Sequence, residues 1–268
     1  MTPVLKHGEF DWDTCATLAE LSAAVYDPED DFCDFAAQLG YHQSLFFEDA
    51  PSDTQAGLVW DDDNVVLIYR GTESIRDWLT DAKFDQIATV EFPGQLHEGF
   101  YRSFATSINF LETVEQLAHT RNLFVAGHSL GAALATLSMW HLRKMKPVGY
   151  TYGQPRVFDY EGAYMFDMEF GNRLYRCRNN NDVVTRVPPG TRFKHVGQLI
   201  YFNRKGLFKI YGKYRMIIDH LLGRLDNILR YVERFRGTDG IVDHFMGAYL
   251  PIVNSYRGRN GIRRSLGS

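Results

Sequence analysis

The stretch Asn122-Leu-Phe-Val-Ala-Gly-His-Ser-Leu-Gly-Ala-Ala-Leu-Ala135 decides the architecture. Asn122–Ala126 reads as a short buried strand. From about 130 to 145 the alanines at 132, 133 and 135 suit a closely packed helix. Between them, Gly127-His-Ser-Leu-Gly131 is a G-x-S-x-G pattern in the strand–turn–helix context that gives it meaning. A turn this sharp holds the serine in a strained backbone conformation, and side chains at 127 and 131 would collide with the neighbouring chain. The Ser129 hydroxyl then projects above the C-terminal edge of a sheet, over a helix N-terminus that favours developing negative charge. Ser129 is the candidate nucleophile.

Outward from this turn, buried strands alternate with helices. On the N-terminal side, residues 14–27 read as an amphipathic helix carrying Leu18, Leu21 and Val25, followed by strands at 43–49, 55–60 and 64–70 and a helix over 99–119. On the C-terminal side come a strand at 148–153, a helix at 160–170, a strand at 173–178 and a hairpin of 195–203 and 206–211. A long helix at 213–236 and a last one at 244–255 follow. This alternation predicts an α/β fold with a mainly parallel central sheet flanked by helices, built as one domain over residues 1–268.

Composition supports a folded chain. Of 268 residues 45% are hydrophobic and 23% charged, enough apolar side chains for a sizeable core and too few charges for disorder. No apolar run reaches the roughly 18 residues of a membrane span, and the first residues lack an apolar stretch of signal-peptide length. The expectation is a protein that stays inside the cell, leaves by another route, or is written here without its leader. Charge is uneven: residues 1–64 hold fifteen Asp/Glu against one Lys, whereas Arg and Lys crowd toward the C-terminus. The asymmetry suits either a solvated surface balanced within the fold or contact with an anionic partner. No nucleic-acid module accompanies the basic region. Cys15, Cys33 and Cys177 are too few and scattered for a disulfide framework or zinc site, though a Cys15–Cys33 bond stays open.

A serine hydroxyl is a poor nucleophile until a histidine takes its proton and a carboxylate orients that histidine. In this arrangement the acid and then the histidine follow the serine on loops after later strands. Asp182 fits, since it lies in the polar loop Asn179–Pro189 after the strand 173–178; Asp159 and Asp167 lie beside or within a helix. Three histidines follow Asp182. His195 opens a strand, His220 lies inside the long helix, and His244 stands before the last helix, where a loop can carry it to the serine. Pattern alone leaves the choice open. The oxyanion needs two donors: the Leu130 N–H after the nucleophile, and the Thr72 N–H, with its hydroxyl, after the strand 64–70. An ordinary turn is the plain alternative at Thr72.

The chain resembles the class 3 (fungal-type) lipases of the α/β-hydrolase superfamily. The likeness rests on Tyr69-Arg-Gly-Thr72, Asp77-Trp78, His97-Glu-Gly-Phe100, Gly127-His-Ser-Leu-Gly131, Tyr152-Gly-Gln-Pro-Arg-Val157, Asn181-Asp-Val-Val184 and Asp243-His244, in family order across about residues 15–250. The resemblance implies Ser129, Asp182 and His244 as the catalytic triad, Thr72 and Leu130 as oxyanion donors, and hydrolysis of lipid esters without metal or organic cofactor. It also implies a short helical lid at 73–86, in which Ile75, Trp78 and Leu79 share one face. A fixed surface helix with that face in the core is the alternative. His97 and Arg156 match family motifs and read as structural.

The hairpin and helix at 195–236 depart from the simplest family pattern. Tyr214, Ile218, Leu221, Leu225, Ile228, Val232 and Phe235 form an apolar stripe flanked by arginines. Such a helix either packs on its own domain or lies in a lipid surface as a peripheral contact. Phospholipase A1, feruloyl-type carboxylesterase and acyltransferase activities use the same machinery. A catalytically silent lipid- or partner-binding protein is the rival of a different class. Acyl length, head group and oligomeric state are not written in the pattern.

Overall fold

The computed structural model describes residues 2–72, 84–209 and 239–259. Strand β6 (Asn122–His128) lies inside the sheet because both its faces are apolar. Leu123 and Val125 point to one side, Phe124 and Ala126 to the other, and all four are fully buried. Its parallel neighbours are β3 (Asn64–Tyr69) and β7 (Val148–Tyr152), and beyond β7 come β8 (Leu174–Asn179) and β9 (Gln198–Phe202), also parallel. Antiparallel strands complete the sheet: β1 (Gln43–Asp49) and β2 (Thr54–Trp60) beyond β3, and β10 (Phe208–Lys209) beyond β9. The order is β1-β2-β3-β6-β7-β8-β9-β10, with a separate two-stranded piece of β4 (Gln86–Ala88) and β5 (Gln95–His97).

Helices cover both faces. On the Phe124 side lie α1 (Trp12–Ala24), α2 (Glu29–Gln38) and the last helix, α8 (Met246–Asn254). On the Leu123 side lie α3 (Glu98–Thr106), α4 (Ile108–Ala118), α5 (Leu130–His141) and α6 (Tyr160–Phe170). A four-residue helix, α7 (Asp239–Val242), precedes α8. This is the α/β arrangement the alternation predicts. The register pairs Tyr69 with Gly127, His128 with Tyr152, and Tyr152 with Cys177. The C-terminal ends of β3, β6, β7 and β8 are therefore level, so the segments after Tyr69, His128, Tyr152 and Asn179 leave one edge, where ligands of open α/β sheets bind.

Several sequence expectations need correction. The helix expected over 99–119 is two helices, broken at Ser107. The Ser107 hydroxyl donates to Phe104 O at 2.8 Å and meets the Tyr69 hydroxyl at 2.8 Å, and such back-bonding competes with the helix ladder. The helix expected over 14–27 is α1, buried on nearly all sides rather than amphipathic, since the sheet, α2 and α8 surround it. Helix α2 and the β4–β5 pair were not anticipated. Three carboxylates in its first turn, Glu29, Asp30 and Asp31, favour α2 through the helix dipole while obscuring its apolar period. Helix α5 stops at His141, before a 3-10 turn over Arg143–Met145. The final helix begins at Met246 rather than 244, because Phe245 is extended (φ −63°, ψ 148°).

His195 precedes β9 instead of opening it. No Cys15–Cys33 bond forms: the three cysteines are free thiols, and Cys15 Sγ lies 3.7 Å from Cys177 Sγ in the core. Residues 256–258 fold back on α1. Trp12 stacks on Tyr256 with ring centres 4.4 Å apart, Arg257 pairs with Glu20 at 2.7 Å, and the Gly258 amide donates to Asp13 at 2.8 Å. Among the described residues no helix is long and apolar enough to cross a membrane. The long helix expected at 213–236 lies outside the described residues.

Candidate active site

Ser129 sits between the end of β6 and the start of α5 with φ 58° and ψ −125°. A non-glycine residue in such a region stores about 1–3 kcal/mol of strain, which persists only where its surroundings over-determine it. Those surroundings are visible. A Cβ on Gly127 would run into the carbonyl of Gly131, and one on Gly131 into the carbonyl of Tyr69. The Ser129 amide donates to Tyr152 O at 3.0 Å, tying the turn to β7. Gly71 lies against the same turn, since a Cβ there would meet the Tyr26 hydroxyl, His128 O and Ser129 Cβ. This contact brings the Arg70–Thr72 backbone beside the serine. The Leu130 N–H is the first amide of α5 and has no carbonyl within the helix to serve.

Asp182 follows β8 and is fully buried. Its carboxylate accepts from the Val184 amide at 2.9 Å, from the Tyr249 hydroxyl at 2.6 Å, and from His244 Nδ1 at 2.9 and 3.0 Å. Burial alone pushes the Asp182 pKa up; the neighbouring His244 and the hydrogen bonds from His244 and Tyr249 outweigh it and hold the carboxyl below its ordinary value. An ionised Asp182 only accepts, so His244 Nδ1 carries the proton and Nε2 is left as the basic nitrogen.

His244 stands in the turn between α7 and α8 and is 1% exposed. Its own amide donates to Ile241 O at 3.0 Å. Asparagines hold the turn through its neighbour: Asn179 Nδ2 donates to Asp243 O at 3.1 Å, and Asn180 Nδ2 and the Asn181 amide donate to the Asp243 carboxylate at 3.2 Å each. The ring stacks on His128 with centres 4.5 Å apart and planes 29° apart. Ser129 Oγ and His244 Nε2 are both buried and make no hydrogen bond among the described residues, to each other included. They open into one cavity of about 340 Å³ with largely apolar walls, lined also by Tyr26, Thr72, Phe245 and Met246.

The structure thus gathers Ser129, Asp182, His244, Leu130 and Thr72 at one sheet edge. The remaining candidates have other employment. Asp159 caps α6 by accepting from the Gly162 amide at 2.8 Å, and Asp167 accepts from the Gly197 amide at 2.8 Å. His195 Nε2 bonds Thr185 O at 2.8 Å. His97 caps α3, its Nδ1 accepting from the Phe100 amide at 3.3 Å. Arg156 donates to the carbonyls of Arg186 and Pro188. Ile75, Trp78 and Leu79, like His220, lie outside the described residues.

Sequence reasoning missed four residues at the site: Tyr26, His128, Gly153 and Tyr249. Gly153 has φ +63°, and a Cβ there would lie 2.7 Å from His244 Nδ1 and 2.9 Å from Asp182 Oδ2, so the acid–histidine pair rests on bare backbone. The signal for Gly153 was its place after a β-strand, in a segment already singled out by motif. Nothing local marks Tyr26 or Tyr249.

Residues 66–192 match the family model described as Lipase (class 3). Two curated relatives show where the likeness lies. A secreted mono- and diacylglycerol lipase 1 of Fusarium solani is 33% identical over 132 residues, 47% of this chain and 39% of that protein. A secreted mono- and diacylglycerol lipase A of Penicillium cyclopium is 35% identical over 167 residues, 58% of this chain and 54% of that protein. The chain therefore spans about half the length of the curated relatives it matches. In three dimensions, the mono- and diacylglycerol lipase of Aspergillus oryzae superposes with a TM-score of 0.66 at 24% identity, covering 77% of this chain and 88% of the other, a likeness of fold. With the motifs in family order, the match over residues 66–192 and the shared fold, the chain is similar to the class 3 lipases and has their α/β-hydrolase fold.

Proposed function

We propose that this protein is a serine ester hydrolase that cleaves acylglycerols through an acyl-enzyme on Ser129. One observation carries the reading: a strained serine and an acid-oriented histidine, Ser129 and His244, open into the same apolar cavity. In the proposed reaction His244 Nε2 accepts the Ser129 proton as Oγ attacks the ester carbonyl. The Leu130 and Thr72 amides hold the tetrahedral oxyanion. His244 returns the proton to the departing alcohol, then takes one from the water that attacks the acyl-enzyme and passes it to Ser129 Oγ as the acid leaves. Asp182 stays ionised and fixes the imidazole tautomer. The apolar cavity walls suit an acyl chain, and relatives named mono- and diacylglycerol lipases support glycerol esters over other alcohols. Such a substrate implies peripheral contact with lipid surfaces.

The test pairs Ser129→Ala with the parent protein. Fluorophosphonate labelling and p-nitrophenyl butyrate hydrolysis are both expected to disappear from the variant while its far-UV spectrum is unchanged. Retained hydrolysis would remove Ser129 as the nucleophile. A panel of mono-, di- and triacylglycerols against phosphatidylcholine and a feruloyl ester, dissolved and emulsified, then sets the substrate class. Faster turnover of the phospholipid than of any acylglycerol would replace the lipase reading with a phospholipase.

A further inference from the structure

One imidazole touches both sides of the site without being part of the triad. His128, the residue before the serine, is 4% exposed. Its Nε2 lies 2.6 Å from the backbone carbonyl of His244, and its Nδ1 lies 2.8 Å from the Tyr26 hydroxyl. A carbonyl only accepts, so Nε2 carries the proton and Nδ1 is bare, which obliges the Tyr26 hydroxyl to donate to it. The Tyr26 oxygen in turn accepts from the Gly71 amide at 3.1 Å. The hydrogen bonds run in one direction with each partner satisfied, from Gly71 through Tyr26 and His128 to His244.

We infer that Tyr26 and His128 are positioning residues for acyl transfer, a hydrogen-bonded strut that sets the spacing between the Gly71–Thr72 backbone and the His244 turn across Ser129. The inference rests on the reading of Ser129, Asp182 and His244 given above. Two further contacts stiffen the strut: the His128 ring stacks on His244, and the Arg70 guanidinium lies 5.6 Å over the Tyr26 ring. Burial, with the neighbouring His244, lowers the His128 pKa to about 3, so the neutral ring the strut needs persists across the working range. The two loops otherwise approach the serine from separate parts of the chain, and an oxyanion donor displaced by about 1 Å costs on the order of a hundredfold in rate.

The experiment uses Tyr26→Phe, His128→Gln and their combination, with p-nitrophenyl butyrate as substrate. Gln reaches the His244 carbonyl but not the Tyr26 hydroxyl, so each single change breaks the same strut. Each is expected to lower kcat about tenfold to a hundredfold, leave KM within about twofold, and slow fluorophosphonate labelling in parallel. Because either change uncouples the loops, the double variant is expected to be no slower than the slower single one. Wild-type kcat in Tyr26→Phe, or losses that multiply in the double variant and track melting temperature with a rise in KM, would overturn the inference. If His128→Gln does not fold, the split between kcat and KM in Tyr26→Phe decides. Ser129→Ala run alongside separates the two ideas: activity there defeats the triad reading, whereas an inert Ser129→Ala beside an unaffected Tyr26→Phe defeats only the strut.

Discussion

Ser129 and His244 reach the same cavity by opposite means. The serine is held by backbone sterics: a left-handed φ of 58°, two glycines flush against neighbouring carbonyls, and a strand and helix running directly out of it. The histidine stands in a short turn, held from elsewhere by the side chains of Asp182, His128, Asn179 and Asn180 and by the Asn181 amide. The first support is steric, backbone against backbone; the second is polar. Damage to the serine's support should therefore appear as lost stability, and damage to the histidine's as lost turnover in a protein that still folds.

The sharpest test on the histidine side is Asp182→Asn. An amide presents a donor to Nδ1 and so favours the wrong tautomer; kcat is expected to fall by about ten-thousandfold with the fold intact, measured as steady-state turnover beside circular dichroism. On the serine side, Gly127→Ala drives a methyl into the Gly131 carbonyl. It is expected to cost about 4 kcal/mol or more in urea unfolding, since neither backbone segment can yield. A stable Gly127→Ala protein would break the contrast. Gly153→Ala places a methyl 2.7 Å from the His244 ring in a residue with φ +63°. Turnover is expected to drop about a hundredfold, and the melting temperature to drop less than in Gly127→Ala.

The smallest effect is in pH. The unfolded chain takes up a proton on His128 near the ordinary value of about 6.5, whereas the folded protein refuses it until about pH 3. The stability this represents is complete above about 6.5 and declines steadily as pH falls through that window. The depressed Asp182 carboxyl adds a further loss below about pH 4. Melting temperatures from pH 4 to 8 are expected to fall on acidification, less steeply in His128→Gln.

The same contrast explains what was readable in the sequence. The elbow is five consecutive residues between two regular elements, a pattern contiguous in the chain, so Ser129 and the β6–α5 crossing could be read directly. Strand β1 and helix α6 were legible to the residue because turn and cap residues bound them, Pro51 after the first and Asp159 and Gly171 around the second. Asp182 followed from its place after a strand. His244 did not separate from His195 and His220 by pattern, since its partners lie 62 and 116 residues away; only the family resemblance favoured it. Tyr26 and Tyr249 stayed invisible for the same reason, each acting through one hydroxyl on a distant segment. The Ser107 break escaped because the apolar period runs through it, and only a tertiary contact with Tyr69 shows why the chain turns there.

The packing of α8 on α1 carries a consequence for synthesis. Residues 12–24 leave the ribosome early, yet the helix that covers them, at 246–254, is made after every strand of the sheet. Tyr249 on that helix grips Asp182, and His244 stands two residues ahead of it. A nascent chain stalled near residue 240 would have exposed its complete serine turn while lacking the histidine proposed as its base. Such stalled chains are expected to fold much of the sheet and yet resist fluorophosphonate, reactivity arriving only with the final helix.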